Sequence, residues 1–172
     1  TERDRAKSFV SSMVDKIKIG INIEGSFPAK SIQKKELEEI CRGLYSHYSD
    51  IVIVVLASPN KISNMKKMIS ELGLDFVISS YTTETIIDAA ALVEQLDLII
   101  TPDTSIVHIA SSFDKPVVSI HENNKDSFRL WSPSSTLSKT IFAKSSYGLF
   151  DYSVNDIVKS AADIIKNREL DI

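Results

Sequence analysis

The stretch Asp97 to Ile120, DLIITPDTSIVHIASSFDKPVVSI, constrains the fold more than any other part of the chain. Its two apolar runs, Asp97 to Thr101 and Val117 to Ile120, have the length and β-branched content of buried strands. Between them, residues from about Thr104 to Phe113 follow a helical period, and Asp114-Lys115-Pro116 supplies the turn into the second run. On a helical wheel Thr104, Ser105, His108, Ser111 and Ser112 share one arc, while Ile106, Val107, Ile109, Ala110 and Phe113 share the other. The pattern predicts a βαβ unit whose apolar helix arc packs on a sheet. The polar arc begins at the helix N-terminus, where the first N–H groups lack intrahelical partners and the macrodipole is positive. A phosphate or diphosphate suits such a position. Plainer readings stand beside this one. Thr104 is a good N-cap, Asp103 complements the dipole, and His108 either reaches a ligand or bonds a neighbouring carbonyl; Ser111 and Ser112 read as the solvated end of the face.

The same alternation runs through the rest of the sequence. A leading helix, about Glu2 to Val14, fills the segment 1–16. Strand patterns follow at Ile17 to Ile23, Ile51 to Leu56, Phe76 to Ser79, Leu98 to Thr101 and Val117 to Ile120, with a weaker sixth at Thr140 to Ala143. Helical patterns lie between most of them, at Ile32 to Tyr48, Ile62 to Leu72, Glu84 to Glu94 and the Thr104 segment, and a last one spans Val154 to Lys166. The segment from His121 to Tyr147 is rich in Ser, Asn and Lys, holds Trp131 and Pro133, and reads as long loops with one short helix. Near-continuous apolar strands separated by amphipathic helices predict an α/β fold: a Rossmann-like parallel sheet sandwiched by helices, with right-handed crossovers. No repeat or linker divides the chain, so 1–172 is expected to be one domain, and 43% hydrophobic content supplies its core.

Composition narrows the partners. A net charge of −3 without a basic run argues against nucleic acid and gives no strong reason to expect broad binding to anionic lipid. Cys41 lies in the stripe Leu37, Ile40, Cys41, Leu44 and is expected to be structural and reduced. Three histidines and one cysteine show no ligand spacing, so no metal site is expected. The N-terminus TERDRAKSFV lacks the apolar core of a signal peptide, and no run is long enough to span a membrane, which predicts a cytoplasmic protein. The missing initiator Met reads as a piece of a longer protein.

In an open parallel sheet, ligands bind beyond the carboxyl ends of the strands. Two loops there carry chemistry. One is Pro102-Asp103-Thr104; the other runs from Glu24 to Lys30, where Gly25 permits a turn, Ser26 offers a hydroxyl and Lys30 brings an ammonium to the same sheet edge. A cation facing a helix N-terminus is what a diphosphate needs, although Lys30 alone would read as an exposed helix-start lysine.

The pattern D-T-S-I-V-H-I-A from Asp103, K-P-V-V from Lys115 and G-S-F-P-A-K from Gly25 resembles the family 9 glycosyltransferases, the heptosyltransferases of lipopolysaccharide core assembly. The resemblance covers roughly Ile17 to Ile165. It implies the C-terminal, donor-binding half of a GT-B fold, with the acceptor-binding N-terminal half and its carboxylate base outside this chain. By that resemblance Gly25, Ser26, Lys30, Asp103, Thr104, Ser105 and His108 bind the donor, no catalytic residue lies in the chain, and the isolated half does not turn over. The donor implied is a nucleotide-diphosphate sugar such as ADP-heptose, with no further cofactor or metal. The acceptor is a lipopolysaccharide or other glycan reached through the missing half. The enzyme implied is cytoplasmic, at most peripheral to the inner membrane. Trp131 and Pro133 look like the aromatic and proline that follow the family's last main strand. The chain departs from the family at Ser105, where glycine is usual, at Ala57-Ser58-Pro59-Asn60-Lys61, where glycine and often a ribose-holding glutamate stand, and at His121-Glu122-Asn123-Asn124, where glycine and proline are usual. Those departures motivate one alternative, a non-catalytic nucleotide-sugar-binding or degenerate transferase module. Half of a sugar-nucleotide epimerase is another, and a receiver-type signalling domain ranks last because only Glu24 stands at the first strand's end.

Overall fold

The computed structural model describes residues 1–170. Strands β1 (Ile17–Asn22), β2 (Ile51–Leu56), β3 (Val77–Ser79), β4 (Leu98–Pro102), β5 (Val117–His121) and β6 (Ser138–Phe142) form one sheet in the order β3-β2-β1-β4-β5-β6. Every pairing is parallel. The helices are α1 (Glu2–Val10), α2 (Lys34–His47), α3 (Ile62–Leu72), α4 (Ile86–Glu94), α5 (Ser105–Ser112), α6 (Lys125–Trp131) and α7 (Val154–Leu170). Chain order moves outward from β1 to β3, then returns to pair β4 on the other side of β1, so the winding reverses between β1 and β4.

Both sheet faces are covered, which is why β2 is apolar and buried at every position. In β2, Ile51, Ile53 and Val55 point to a core completed by Leu37, Ile40 and Leu44 of α2, Met65 of α3, and Ile157, Ala161 and Ile164 of α7. The alternate residues Val52, Val54 and Leu56 face Leu92, Val93 and Leu96 around α4 and Ala110 of α5. Burying each such side chain contributes about 1.5–3 kcal/mol. Cys41 is a free thiol with no exposed surface, and burial, followed by the neighbouring Glu38, pushes it up to about 12, so it packs as a small apolar group. Among the described residues no helix is long and apolar enough to cross a membrane.

Several boundaries differ from the sequence expectation for local reasons. The leading helix stops at Val10 rather than Val14: Ser11 Oγ donates to Ser8 O, and Asp15, at φ 65°, turns the chain into β1. Helix α2 starts at Lys34 because Ile32 N–H donates instead to Ile23 O and Gln33 forms a capping box with Glu36. Helix α4 starts at Ile86 because Thr85 and Asp88 cap each other. Strand β6 starts two residues earlier and ends one earlier than predicted, and Lys139 and Phe142 are exposed, which weakens its apolar pattern. Ser111 is not merely a solvated helix end. Its Oγ accepts from Ser134 N (3.1 Å) and Ser135 Oγ (3.2 Å), hanging the loop before β6 on α5.

Candidate functional site

Where the winding reverses, the loop after β1 leaves toward α2 on one face and the loop after β4 leaves toward α5 on the other. Between them opens a cleft of about 510 Å³ at the carboxyl ends of the strands. Asn22, Glu24, Gly25 and Ser26 form one wall, Asp103, Thr104, Ser105 and Ile106 the opposite one; Ala57 and Ser58 after β2 and Thr83 to Ile86 at the start of α4 close the far end. The cleft thus receives two helix N-termini, those of α4 and α5.

Asn22 sets the distance between the two walls. It is 6% exposed, and its Nδ2 donates to Thr101 Oγ1 (3.0 Å), Thr104 Oγ1 (3.2 Å) and Glu24 O (3.1 Å), while its Oδ1 accepts from Glu24 N (3.2 Å). Thr104 is the N-cap of α5, its Oγ1 accepting from Ile106 N at 3.3 Å. The cap and the β1 loop are therefore one hydrogen-bonded unit. Gly25 lies so close to the backbone of residue 30 that an added Cβ would sit 2.1 Å from Lys30 O, and its N–H donates to Ser31 Oγ at 3.0 Å. Its missing side chain is a packing requirement of the loop. Glu24 reaches across to the β2 loop, accepting from Ser58 N (2.8 Å) and pairing with Lys61 Nζ (3.2 Å).

Lys30 and His108 lie outside the cleft lining, on the β5 side of α5. Lys30 closes a one-turn helix (Pro28–Lys30), and its Nζ is 2.9 Å from Glu122 Oε2 rather than open to the sheet edge. The other oxygen, Glu122 Oε1, accepts from Gly148 N at 2.5 Å. Burial opposes the Glu122 charge, but the bonds from Lys30 and Gly148 outweigh it and hold the carboxyl below its ordinary 4.5. Leu149 N–H donates to Ala29 O and Asn123 N–H to Ser145 O, so the loops after β1, β5 and β6 are tied together here. His108 is exposed and meets Trp131 edge-on, ring centroids 5.7 Å apart.

His121 joins the two regions. It is 2% exposed, flanked by Phe128 and Phe142, and its Nδ1 stands 3.7 Å from Asp103 Oδ2. Burial, opposed by Asp103 and reinforced by His108 and Lys30, holds the imidazole below its ordinary 6.5. Above that value folded and unfolded chains both carry neutral imidazole; below it the unfolded chain takes up a proton that the folded chain resists. His121 is therefore expected to make the melting temperature fall as pH drops from 7 toward 5. Melts of His121→Gln over that range should show a shallower slope, whereas an unchanged slope would remove His121 as its source.

Five of the seven residues singled out in the sequence, Gly25, Ser26, Asp103, Thr104 and Ser105, thus share the cleft, and Lys30 and His108 flank it. The sequence reading missed Asn22 as the bridge and Glu122 as the partner of Lys30. A signal existed for Asn22 and His121: each is a polar residue closing an apolar strand at its carboxyl end.

The 3-2-1-4-5-6 parallel sheet, with helices on both faces and a cleft at its switch point, is Rossmann-like, and its likeness to glycosyltransferase structures makes it one half of a GT-B fold. The chain belongs to glycosyltransferase family 9 (heptosyltransferase), whose model matches residues 1–146. Among solved structures it is similar to a family 9 glycosyl transferase of Veillonella parvula, at 19% identity over 96% of this chain and 52% of that one, TM-score 0.80. It is also similar to E. coli ADP-heptose LPS heptosyltransferase II, at 17% identity over 98% of this chain and 52% of that one, TM-score 0.78. The C-terminal CMP-Kdo binding domain of WaaA from Acinetobacter baumannii is similar over 98% of this chain and 91% of that domain, at 8% identity and TM-score 0.65. At these identities the likeness is one of fold. The chain spans about half the length of the first two, and no curated protein matches it by sequence.

Proposed function

We propose that this chain is the donor-binding half of a cytoplasmic glycosyltransferase that moves a sugar, heptose or similar, from a nucleoside diphosphate to a lipopolysaccharide or other glycan acceptor. The observation that carries the proposal is the cleft in a family 9 chain, where the Gly25-Ser26 loop faces the capped N-terminus of α5 across the switch point. The apolar end of the cleft, near Leu56, Ala57 and Ile86, suits the nucleoside; the N–H groups at Ser105 and Ile106 suit the diphosphate; Asp103 in the lining and His108 one turn along α5 are assigned to the sugar. Lys30 is the cation of this scheme. The acceptor hydroxyl, deprotonated by a base in the other half of the enzyme, attacks the anomeric carbon as the nucleoside diphosphate leaves. Lys30 and the α5 N-terminus then stabilise the charge growing on the leaving phosphate, without calling on a metal. Membership of a transferase family favours this over an epimerase half. Residues 1–172 alone are expected to bind donor but not to transfer sugar.

Calorimetry with a panel of nucleoside diphosphates tests the donor site. Binding should weaken roughly tenfold or more in Lys30→Ala, the loss of one charge-assisted contact. A folded chain that binds none of the panel at millimolar concentration would overturn the proposal.

A further inference from the structure

Lys30 is not a free cation awaiting a ligand. Its ammonium and the Glu122 carboxylate form a pair in which the two side chains are 21% and 14% exposed, and Glu122 is held from behind by the Gly148 N–H. The carboxylate therefore occupies the place of an anion beside the one lysine that the proposed function assigns to the diphosphate. We infer that Glu122 is an internal counter-anion that an incoming diphosphate must displace, so that this residue sets donor affinity and selects for ligands carrying phosphate charge. The inference rests on the donor-site reading of Lys30.

The physical case has three parts. A largely buried charge stripped of its partner is strongly disfavoured, so Lys30 exchanges Glu122 for phosphate rather than meeting the ligand unpaired. The exchange leaves Glu122 beside a like-charged phosphate, and the carboxylate must turn away from it. Neither group is held by the other alone: Lys30 Nζ also lies 5.1 Å from the Phe27 ring, and Glu122 keeps the Gly148 N–H as a pivot. A neutral ligand gains nothing from this exchange, whereas a diphosphate offers more negative charge than the single carboxylate it replaces.

Glu122→Gln separates charge from shape, because the amide oxygen still accepts from Gly148 N–H and the side chain keeps its size. Titration of wild type, Glu122→Gln, Lys30→Ala and the double variant with ADP and UDP, and with adenosine and uridine as uncharged probes, tests the inference. Glu122→Gln is expected to bind the diphosphates about five- to thirtyfold tighter than wild type, to leave the nucleosides unchanged, and to have no effect once Lys30 is alanine. Diphosphate binding that is unchanged or weaker in Glu122→Gln, or nucleoside binding that tightens in parallel, overturns the counter-anion while the donor site stands, provided Lys30→Ala still weakens binding. If Lys30→Ala binds like wild type, the donor-site reading of Lys30 fails first and the counter-anion with it.

Discussion

Asn22→Ala is expected to lower the melting temperature by about 6–12 °C, on an expected loss of about 3 kcal/mol and 2–4 °C per kcal/mol for a domain of this size. The side chain is nearly buried and serves three acceptors and one donor across the two walls of the cleft. Alanine would leave the Glu24 N–H without its acceptor, at about 1–3 kcal/mol for an unpaired group, and would remove the donor shared by the Thr101 and Thr104 hydroxyls, which keep only each other, Pro102 O and Ile106 N–H. The loss should also reach the ligand. With Asn22 gone, the cap of α5 is no longer fixed to the β1 loop, so nucleotide binding should weaken even at temperatures where the chain is folded. Thermal melts and calorimetry on one preparation check both parts; a variant that melts with wild type would show that the bridge is dispensable.

Gly25→Ala is the second large effect, and it acts by intrusion rather than by loss. A methyl group 2.1 Å from Lys30 O and 2.5 Å from its carbonyl carbon cannot be accommodated by a side-chain rotation, because the obstacle is backbone. The loop must open, at a cost of about 1–3 kcal/mol for a forced overpacking, or about 2–12 °C in melting temperature. Opening carries Lys30 away from Glu122 and strains the Leu149 to Ala29 bond, so the loop after β6 should lose protection in hydrogen exchange. Protection confined to wild-type values at residues 145–150 would place the strain elsewhere.

The sheet was readable from the chain because its strands declare themselves. IVIVVL of β2 and LIIT of β4 have no polar face, and that pattern belongs to a strand covered on both sides. Helix α3 fell at its predicted ends, and Gly73, at φ 61°, gives it a left-handed stop. What sequence reasoning could not supply were contacts made over long separations. Asn22 meets Thr101 and Thr104 at separations of 79 and 82 residues, and a polar residue closing a strand marks a position at the sheet edge without naming its partners. Lys30 stood out as a cation, but its partner Glu122 lies in a stretch that read as loop and as a departure from a family pattern. Strand β6 was faint because it carries Lys139 and Phe142 at exposed positions and none of its residues is fully buried. The placement of Gly25, Ser26 and the Asp103 to Ser105 turn in one cleft followed from a general rule about open sheets; the pairing inside it depends on side chains brought together from distant parts of the chain.

His121 and Glu122 are consecutive residues, and they reach the two sides of the proposed diphosphate clamp, His121 toward Asp103 and Glu122 toward Lys30. Remodelling one therefore disturbs the other, and substitutions at these positions should combine non-additively. Anyone retuning donor choice on this scaffold by directed evolution should randomise 121 and 122 as a single unit: a library that varies them separately would sample each clamp arm against an unsuitable partner.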